Sequence, residues 1–201
     1  MQALLCQQSC LESDGREAIE GVMDQKVPDA RVDAPSERPG VETAGASRLR
    51  APAAASEMPP RTKPSNYPAP FAQRMSGRTK RPLGDAFGLS NFGVNLTTLS
   101  PGAVSALQHI HSKQDEFVYV VSGELTLVSG ADLHVMTAGM CVGFPAAGTS
   151  HHLENRSPRE ATFLEVGDRS EGDEVSYPAD DITAVRDRSG WRFMHKNGEP
   201  Y

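Results

Sequence analysis

Short runs of alternating apolar and polar residues fill the second half of the chain. They start at Asn91 and are separated by turns that contain glycine, such as Ser122-Gly123 and Ser129-Gly130. Alternation with a period of two indicates β-strands that bury one face, and short strands at regular spacing are typical of a sandwich or barrel. The predicted strands are Phe92 to Leu99, Val104 to His111, Glu116 to Val121, Glu124 to Val128, Leu133 to Met136, Cys141 to Phe144, His151 to Asn155 and Ala161 to Val166. The pattern therefore predicts an all-β barrel with little helix.

The first 63 residues have a different composition. They are rich in Ala, Pro, Ser, Glu and Arg and contain no sustained apolar period, so they bury too little surface to offset the entropy of the chain. We predict a disordered leader over residues 1–63, except for a short helix around Glu17 to Met23. Met58 lies where the composition changes, and translation from Met58 would leave residues 1–57 untranslated.

Residues 64–90 join this leader to the strands. They contain several prolines, the aromatic residues Tyr67 and Phe71, and the basic cluster Arg78, Lys80 and Arg81. Such turn chemistry predicts an extended arm, which the aromatic side chains should fix to the barrel. We interpret the basic cluster as a solvated face, because three charges in a turn rarely make a nucleic-acid surface.

Four side chains of the β-rich region are candidate metal ligands. His109 and His111 lie two apart on a strand and therefore project from the same face. A polar turn brings Glu116 beside them at the start of the next strand, and His151 follows about thirty-five residues later. Imidazoles with one carboxylate suit a divalent first-row transition metal, such as Fe, Mn, Ni or Zn, with open coordination positions.

Other polar residues near these candidates receive structural roles. His152 has the opposite strand parity from His151, so we expect it to point outward. His134 and His195 have no partner at ligand spacing, and we interpret them as structural or exposed. Asn155 is expected to fix a turn.

These residues together resemble the two motifs of the cupin superfamily. The first motif is matched by Gly102, His109, His111, Glu116 and Gly123, and the second by Gly139, Pro145, Gly148, His151 and Asn155. One extra residue in each motif lies in a turn and leaves the ligand spacing intact. The resemblance covers residues 64–201 and is closest to small bacterial single-domain cupins. It implies a double-stranded β-helix, or jelly-roll, barrel over residues 91–201 with a C-terminal extension, and a metal bound by His109, His111, Glu116 and His151.

The resemblance leaves the reaction open, because this fold carries many activities. Our first hypothesis is a metal-dependent oxygenase-like or isomerase-like enzyme, since the four ligands leave about two of six coordination positions free. The alternatives are a non-catalytic cupin that binds or senses a sugar or other metabolite, and a metal that only holds strands together. A sugar-phosphate isomerase, a name that similar cupins sometimes carry, is ranked lower because phosphate requires cations. The predicted interior contains no Lys or Arg; Lys113, Arg156 and Arg159 lie in neighbouring loops. Catalytic residues beyond the metal ligands are not evident.

Net charge, apolar runs and cysteine count limit the kinds of partner that the protein is expected to bind. The net charge of −6 gives no electrostatic reason to expect nucleic-acid binding. No apolar run approaches the roughly 18 residues that cross a bilayer. Three cysteines without framework spacing favour a reducing compartment, and we interpret Cys141 as a small buried hydrophobic residue. We therefore expect a cytoplasmic protein that binds a small molecule and neither nucleic acid nor membrane.

One strand also suggests an assembly. Phe117, Tyr119 and Val121 face away from the predicted metal interior. An exposed apolar row on a strand often marks an interface, which either the arm from Pro64 or a second subunit must cover. We predict a homodimer.

Overall fold

The computed structural model of the protein describes residues 51–63, 65–69 and 71–201. Its strands are β1 Arg78–Pro82, β2 Phe92–Leu99, β3 Ile110–His111, β4 Glu116–Ser122, β5 Glu124–Ser129, β6 Asp132–Thr137, β7 Cys141–Phe144, β8 His151–Glu154, β9 Ala161–Asp168, β10 Glu174–Ser176, β11 Thr183–Asp187 and β12 Gly190–Met194. The helical elements are α1 Leu83–Ala86 and the short 3₁₀ helices Ala55–Glu57 and Phe71–Met75. The predicted disorder of residues 1–50 and the predicted helix at Glu17 to Met23 lie outside the described residues. None of the described helices is long and apolar enough to cross a lipid bilayer.

The strands form antiparallel sheets in two layers. One layer is a five-stranded sheet with the order β1-β2-β9-β4-β7. The other combines a four-stranded sheet, β12-β11-β10-β3, with a three-stranded sheet, β6-β5-β8. Isolated bridges from Val104 to Glu154 and from His109 to His151 join these two smaller sheets. The predicted all-β jelly-roll barrel is confirmed.

A hydrophobic core fills the space between the layers. Leu99, Val120 and Phe163 of the five-stranded sheet meet Leu125 and Leu153 of the three-stranded sheet, and all five are almost completely buried. Burial of each such side chain contributes about 1.5–3 kcal/mol. The core therefore fixes which face of every strand points inward, and with it the direction of the polar side chains further along the same faces.

The segment that leads to the candidate ligands is less regular than predicted. Only Ile110–His111 pairs as a strand, although Ser105, Leu107 and His109 keep the predicted alternation and are buried. The backbone N–H groups of Ser105 and His109 donate to carbonyls of β8, and the bridges on this side are isolated. The sequence pattern predicted a longer strand because side-chain burial alternates along the whole segment, although its backbone does not form a continuous ladder of hydrogen bonds.

The arm of residues 64–90 contributes a strand to the barrel. Strand β1 pairs with β2 from Arg78 opposite Leu99 to Pro82 opposite Asn95. The side chain of Lys80 is only 17% exposed, so the interpretation of this basic cluster as a solvated face was wrong. Strand alternation, which the turn-like composition concealed, directs Lys80 into the barrel.

Aromatic contacts hold the arm in place. The ring of Tyr67 lies 5.8 Å from that of Tyr177 and 5.6 Å from that of Phe193, measured between centroids. Phe71 is buried, and its ring centroid lies 5.6 Å from that of Tyr201. Residues from both ends of the described chain thus close a second hydrophobic cluster.

Two residues of the cupin-like motifs shape turns. Gly123 has φ of 79°, and a β-carbon there would lie 2.7 Å from the Cα atom of Ala161, so only glycine fits. The fully buried Asn155 donates from Nδ2 to the carbonyls of Leu99 and Arg159, at 2.8 and 2.7 Å. The expectation that Asn155 fixes a turn is confirmed.

Cys141 is exposed, and its interpretation as a buried residue was wrong. It begins strand β7 at the edge of the five-stranded sheet and lies opposite the exposed Tyr119. Cys141 and Gly143 lie on the face of β7 that points away from the core. The apolar sequence of the strand did not show which of its two faces is buried.

Candidate metal centre

The four predicted ligands lie together inside the barrel. The Nε2 atoms of His109, His111 and His151 lie 3.3, 3.7 and 2.9 Å from the same oxygen, Oε2 of Glu116. The ligand atoms of His109, His111 and Glu116 are all within 4.8 Å of one another. Strands β3, β4 and β8 each position part of this cluster. The assignment of all four residues as metal ligands stays a prediction, which the variants below test.

The outer nitrogen of each imidazole has an acceptor of its own. Nδ1 of His109 lies 2.8 Å from the carbonyl of Leu107, and Nδ1 of His151 lies 3.1 Å from the carbonyl of Thr149. A carbonyl only accepts hydrogen bonds, so Nδ1 carries a proton. In the neutral ring Nε2 has a free lone pair for a metal, and in the protonated ring Nε2–H donates to Glu116 instead. Backbone geometry thus selects the tautomer that can bind a metal.

Asp173 provides the acceptor for Nδ1 of the third histidine, His111. Its Oδ2 atom lies 2.5 Å from Nδ1 of His111, and it is completely buried. Its other oxygen accepts from the backbone N–H of Lys113 at 2.8 Å and of Gln114 at 3.3 Å. Asp173 therefore fixes both the ring of His111 and the turn that leads to Glu116. No sequence motif marks this residue, which the fold brings to His111 from 62 positions away.

The cluster requires a positive charge. Burial disfavours the ionised form of Glu116, but hydrogen bonds and charge from the histidines outweigh burial and hold its pKa well below the usual value. Burial also disfavours protonated His109, yet Glu116 outweighs it and raises the pKa of His109. Three imidazoles and a carboxylate are a donor set that suits a first-row transition metal. Acceptors on the far ring nitrogens are the usual companions of metal-binding histidines, so the residues fit such an ion.

Aromatic rings surround the cluster. Phe144 stacks on His151 with centroids 3.5 Å apart, and the edge of Trp191 approaches His111 at 6.0 Å. These rings pack against two of the imidazoles and restrict their rotation.

The remaining histidines lie elsewhere. His152 points to the opposite face of β8, where its Nε2 atom lies 2.9 Å from Oε1 of Glu154. His134 is exposed, and His195 pairs with Asp181 at 2.9 Å. His134 and His195 have the placements that their spacing predicted. His152 has the predicted opposite parity, but its side chain is only 12% exposed, so it does not point freely into solvent.

The cluster opens into a cavity of about 680 Å³. Among the described residues, six basic side chains line it, against four carboxylates. The basic residues are Arg61, Lys63, Arg78, Lys80, Arg169 and Arg186, and the carboxylates are Asp85, Glu116, Glu165 and Asp168. The prediction of an interior without Lys or Arg was therefore wrong. It considered only the central strands, whereas most of these cations come from residues before and after them.

Comparisons with known proteins agree with this geometry. The family model described as Cupin domain matches residues 95–167. The crystal structure of a sugar phosphate isomerase from Silicibacter pomeroyi, of the cupin superfamily, is 42% identical with a TM-score of 0.69, and the match covers 74% of this chain and 94% of that one. This chain belongs to the cupin superfamily.

Two further solved structures are also similar to this cupin. A protein from Acidithiobacillus ferrooxidans, provisionally named a sugar phosphate isomerase, is 29% identical with a TM-score of 0.57, covering 67% of this chain and 94% of that one. The polyketide cyclase RemF from Streptomyces resistomycificus is 18% identical with a TM-score of 0.50, covering 60% and 80%, and shares the fold. No curated protein matches the sequence. Cupins usually bind a transition metal, as the histidine cluster of this cupin would allow.

Replacement of any one of His109, His111, Glu116 and His151 by alanine should lower the metal content, because affinity depends on the number and charge of the ligands. The measurement is elemental analysis of protein purified without chelator or affinity metal. Metal removal should also lower the melting temperature, by an amount set by the free metal concentration relative to its dissociation constant.

Two histidines serve as controls for that series. His152→Ala and His134→Ala should keep the wild-type metal content, since both side chains lie outside the cluster. Equal metal content in the wild type and a His109→Ala/His151→Ala double variant would rule the site out.

Asp173→Asn should weaken metal binding roughly 10- to 100-fold without removing a ligand. If the amide oxygen keeps the backbone N–H groups, the amide nitrogen faces His111 and moves the imidazole proton to Nε2. Competition with a chromophoric chelator measures the affinity. The matched control is Asp181→Asn, an exposed aspartate on Nδ1 of His195, and equal affinities for both variants would contradict the role of Asp173.

Proposed function

We propose that this cupin is a metal-dependent isomerase of small phosphorylated sugars. The observation that carries this proposal is the excess of basic side chains around a candidate metal centre, in a chain whose net charge is −6. The name of the Silicibacter pomeroyi relative, at 42% identity, points to the same class of substrate. The reason for ranking this activity low, an interior without cations, does not hold.

Two of the six cations are best suited to a phosphate group. Lys80 contacts Glu165 and Arg169 contacts Asp85, so carboxylates already balance their charges. Arg78 donates to the carbonyl of Ser105, and Lys63 is an exposed lysine that lacks the paired donors of a guanidinium. Arg61 instead donates to the neutral amide of Asn66 at 3.0 Å. The guanidinium of Arg186 lies 5.7 Å from the ring centroid of Trp191.

Arg186 is also close to the metal centre. Its guanidinium carbon and the ring of His111 both lie near the ring of Trp191, 5.7 and 6.0 Å from a Trp191 ring centroid. Guanidinium groups bind phosphate through paired, charge-assisted hydrogen bonds. We assign Arg186 and Arg61 to the phosphate, while the histidine cluster receives the carbonyl end of the sugar.

These positions suggest separate roles for the metal, the arginines and the aromatic rings. A bound divalent metal would supply Lewis acidity toward the carbonyl and hydroxyl oxygens of the sugar. The arginines bind the remote phosphate and so orient the reacting carbons. Trp191 and Phe144 pack against two of the imidazoles and restrict their rotation.

The test is proton exchange at the substrate carbon. Metal-loaded protein in D₂O should incorporate deuterium next to the carbonyl of the phosphates of glyceraldehyde, ribose or glucose, followed by proton NMR, and should not act on the free sugars. Arg61→Gln/Arg186→Gln should weaken phosphate-dependent binding at least tenfold, because each charge-assisted hydrogen bond is worth about 1.5–3 kcal/mol. Arg192→Gln, an exposed arginine paired with Asp187, is the control.

The same assay separates the other hypotheses. Binding of the sugar phosphates without exchange would replace the isomerase with a binding or sensing cupin. Consumption of O₂ with catecholic substrates, and no response to phosphate, would favour an oxygenase.

We also propose that this cupin forms a homodimer through the outer face of β4. Phe117, Tyr119 and Val121 are 42%, 41% and 48% exposed in a row, and a second copy would cover them. Tyr119→Lys should shift the protein toward the monomer in sedimentation at micromolar concentration, because it places charge in the apolar row. A monomeric wild type would contradict the dimer.

A further inference from the structure

A second polar cluster faces the cavity beside the metal centre. Glu165 of β9 accepts from Nζ of Lys80 at 2.9 and 3.2 Å and from Nδ2 of Asn95 at 3.2 Å. All three residues line the cavity that contains the histidine cluster. The carboxylate is thus held in place by two donors and borders the space in which a substrate would lie.

Strand register places Glu165 next to Glu116 on one face of the sheet. Glu165 lies opposite Val118 of β4, and Glu116 lies two residues before Val118. Such diagonal neighbours on adjacent strands are about 7–8 Å apart. Both side chains line the same cavity, so a small substrate held at the histidine cluster would lie beside Glu165.

Stability alone does not account for this cluster. The side chains of Lys80 and Glu165 are only 17% and 19% exposed, and a buried ion pair is often no better for stability than apolar residues of similar volume. Deeper on the same faces, Phe163 of β9 and Leu99 of β2 belong to the apolar core. Apolar residues at these positions would therefore have stabilised the barrel as well as the charged pair does.

We infer that Glu165 is the catalytic base of this cupin, positioned by Lys80 and Asn95. This inference rests on the proposed isomerase function. Glu165 removes the proton from the carbon next to the carbonyl, and the electron pair of the broken C–H bond forms a C=C bond.

The rest of the step balances every proton, and Glu165 exchanges the proton that it holds with solvent, so that deuterium enters from D₂O. The carbonyl π-electrons move to oxygen, which takes up the proton of the neighbouring hydroxyl. Glu165 then delivers its proton to the former carbonyl carbon, where a C–H bond forms as the neighbouring C=O bond is completed. The net change moves the carbonyl by one carbon and consumes no oxidant or reductant.

The test combines exchange with two measurements that do not depend on turnover. Glu165→Gln should lower the rate of deuterium incorporation roughly 10²- to 10⁴-fold, on whichever of the three sugar phosphates the wild type exchanges fastest. Metal content and the calorimetric affinity for the same sugar phosphate should remain within about threefold of the wild type, because Glu165 is not assigned to bind either one. Glu165→Asp keeps the carboxylate and should retain part of the rate, which provides a second variant if the amide does not fold.

Controls separate the base from a structural role. Glu124→Gln changes an exposed glutamate of β5 and should leave exchange unchanged. Lys80→Met should lower the rate, and Lys80→Arg should restore part of it, if Lys80 acts by positioning Glu165. Exchange that persists in Glu165→Gln would overturn the base while the isomerase stands. A wild type without exchange would overturn both.

Discussion

Three imidazole nitrogens and a carboxylate oxygen converge at one position inside this barrel. Neutral imidazole nitrogens and an ionised carboxylate do not stabilise one another when buried together, because each is an acceptor. A cation between them reverses the sign of the interaction. The geometry of His109, His111, His151 and Glu116 thus favours positive charge among these side chains, either a metal ion or protons on the imidazoles.

Support for this arrangement comes from groups that are themselves fixed by the fold. Carbonyls of the extended chain hold His109 and His151, whereas His111 depends on the buried carboxylate of Asp173. Because Asp173 also accepts backbone N–H groups of the turn before Glu116, one residue couples two of the ligands. Ring orientation here follows from tertiary structure as much as from the ligand motif.

The sequence predicted the barrel and the cluster for a physical reason. Both depend on strand alternation and short spacing, and these are local properties; the contrast between His151 and His152 needed only parity. Asp173, Arg61 and Arg186 were missed because topology, not spacing, brings Asp173 to His111 and the two arginines to the cavity. Glu165 was visible in principle, since it shares the inward parity of Ala161 and Phe163 in a predicted strand. A carboxylate at an inward position was a signal that the motif-based interpretation did not use.

Strand β1 has a consequence for how the domain should be delimited. Without it, β2 would be the edge of the five-stranded sheet, with a row of unpaired backbone groups that could template pairing with another chain. The segment matched by the cupin family model begins at residue 95, so an expression fragment cut to that boundary would lose this protective strand and part of β2. It would also lose the arginine and lysine side chains that residues 61–80 contribute to the cavity. An expression fragment of this cupin should therefore include the flanking sequence, which covers the sheet edge and contributes basic side chains to the cavity.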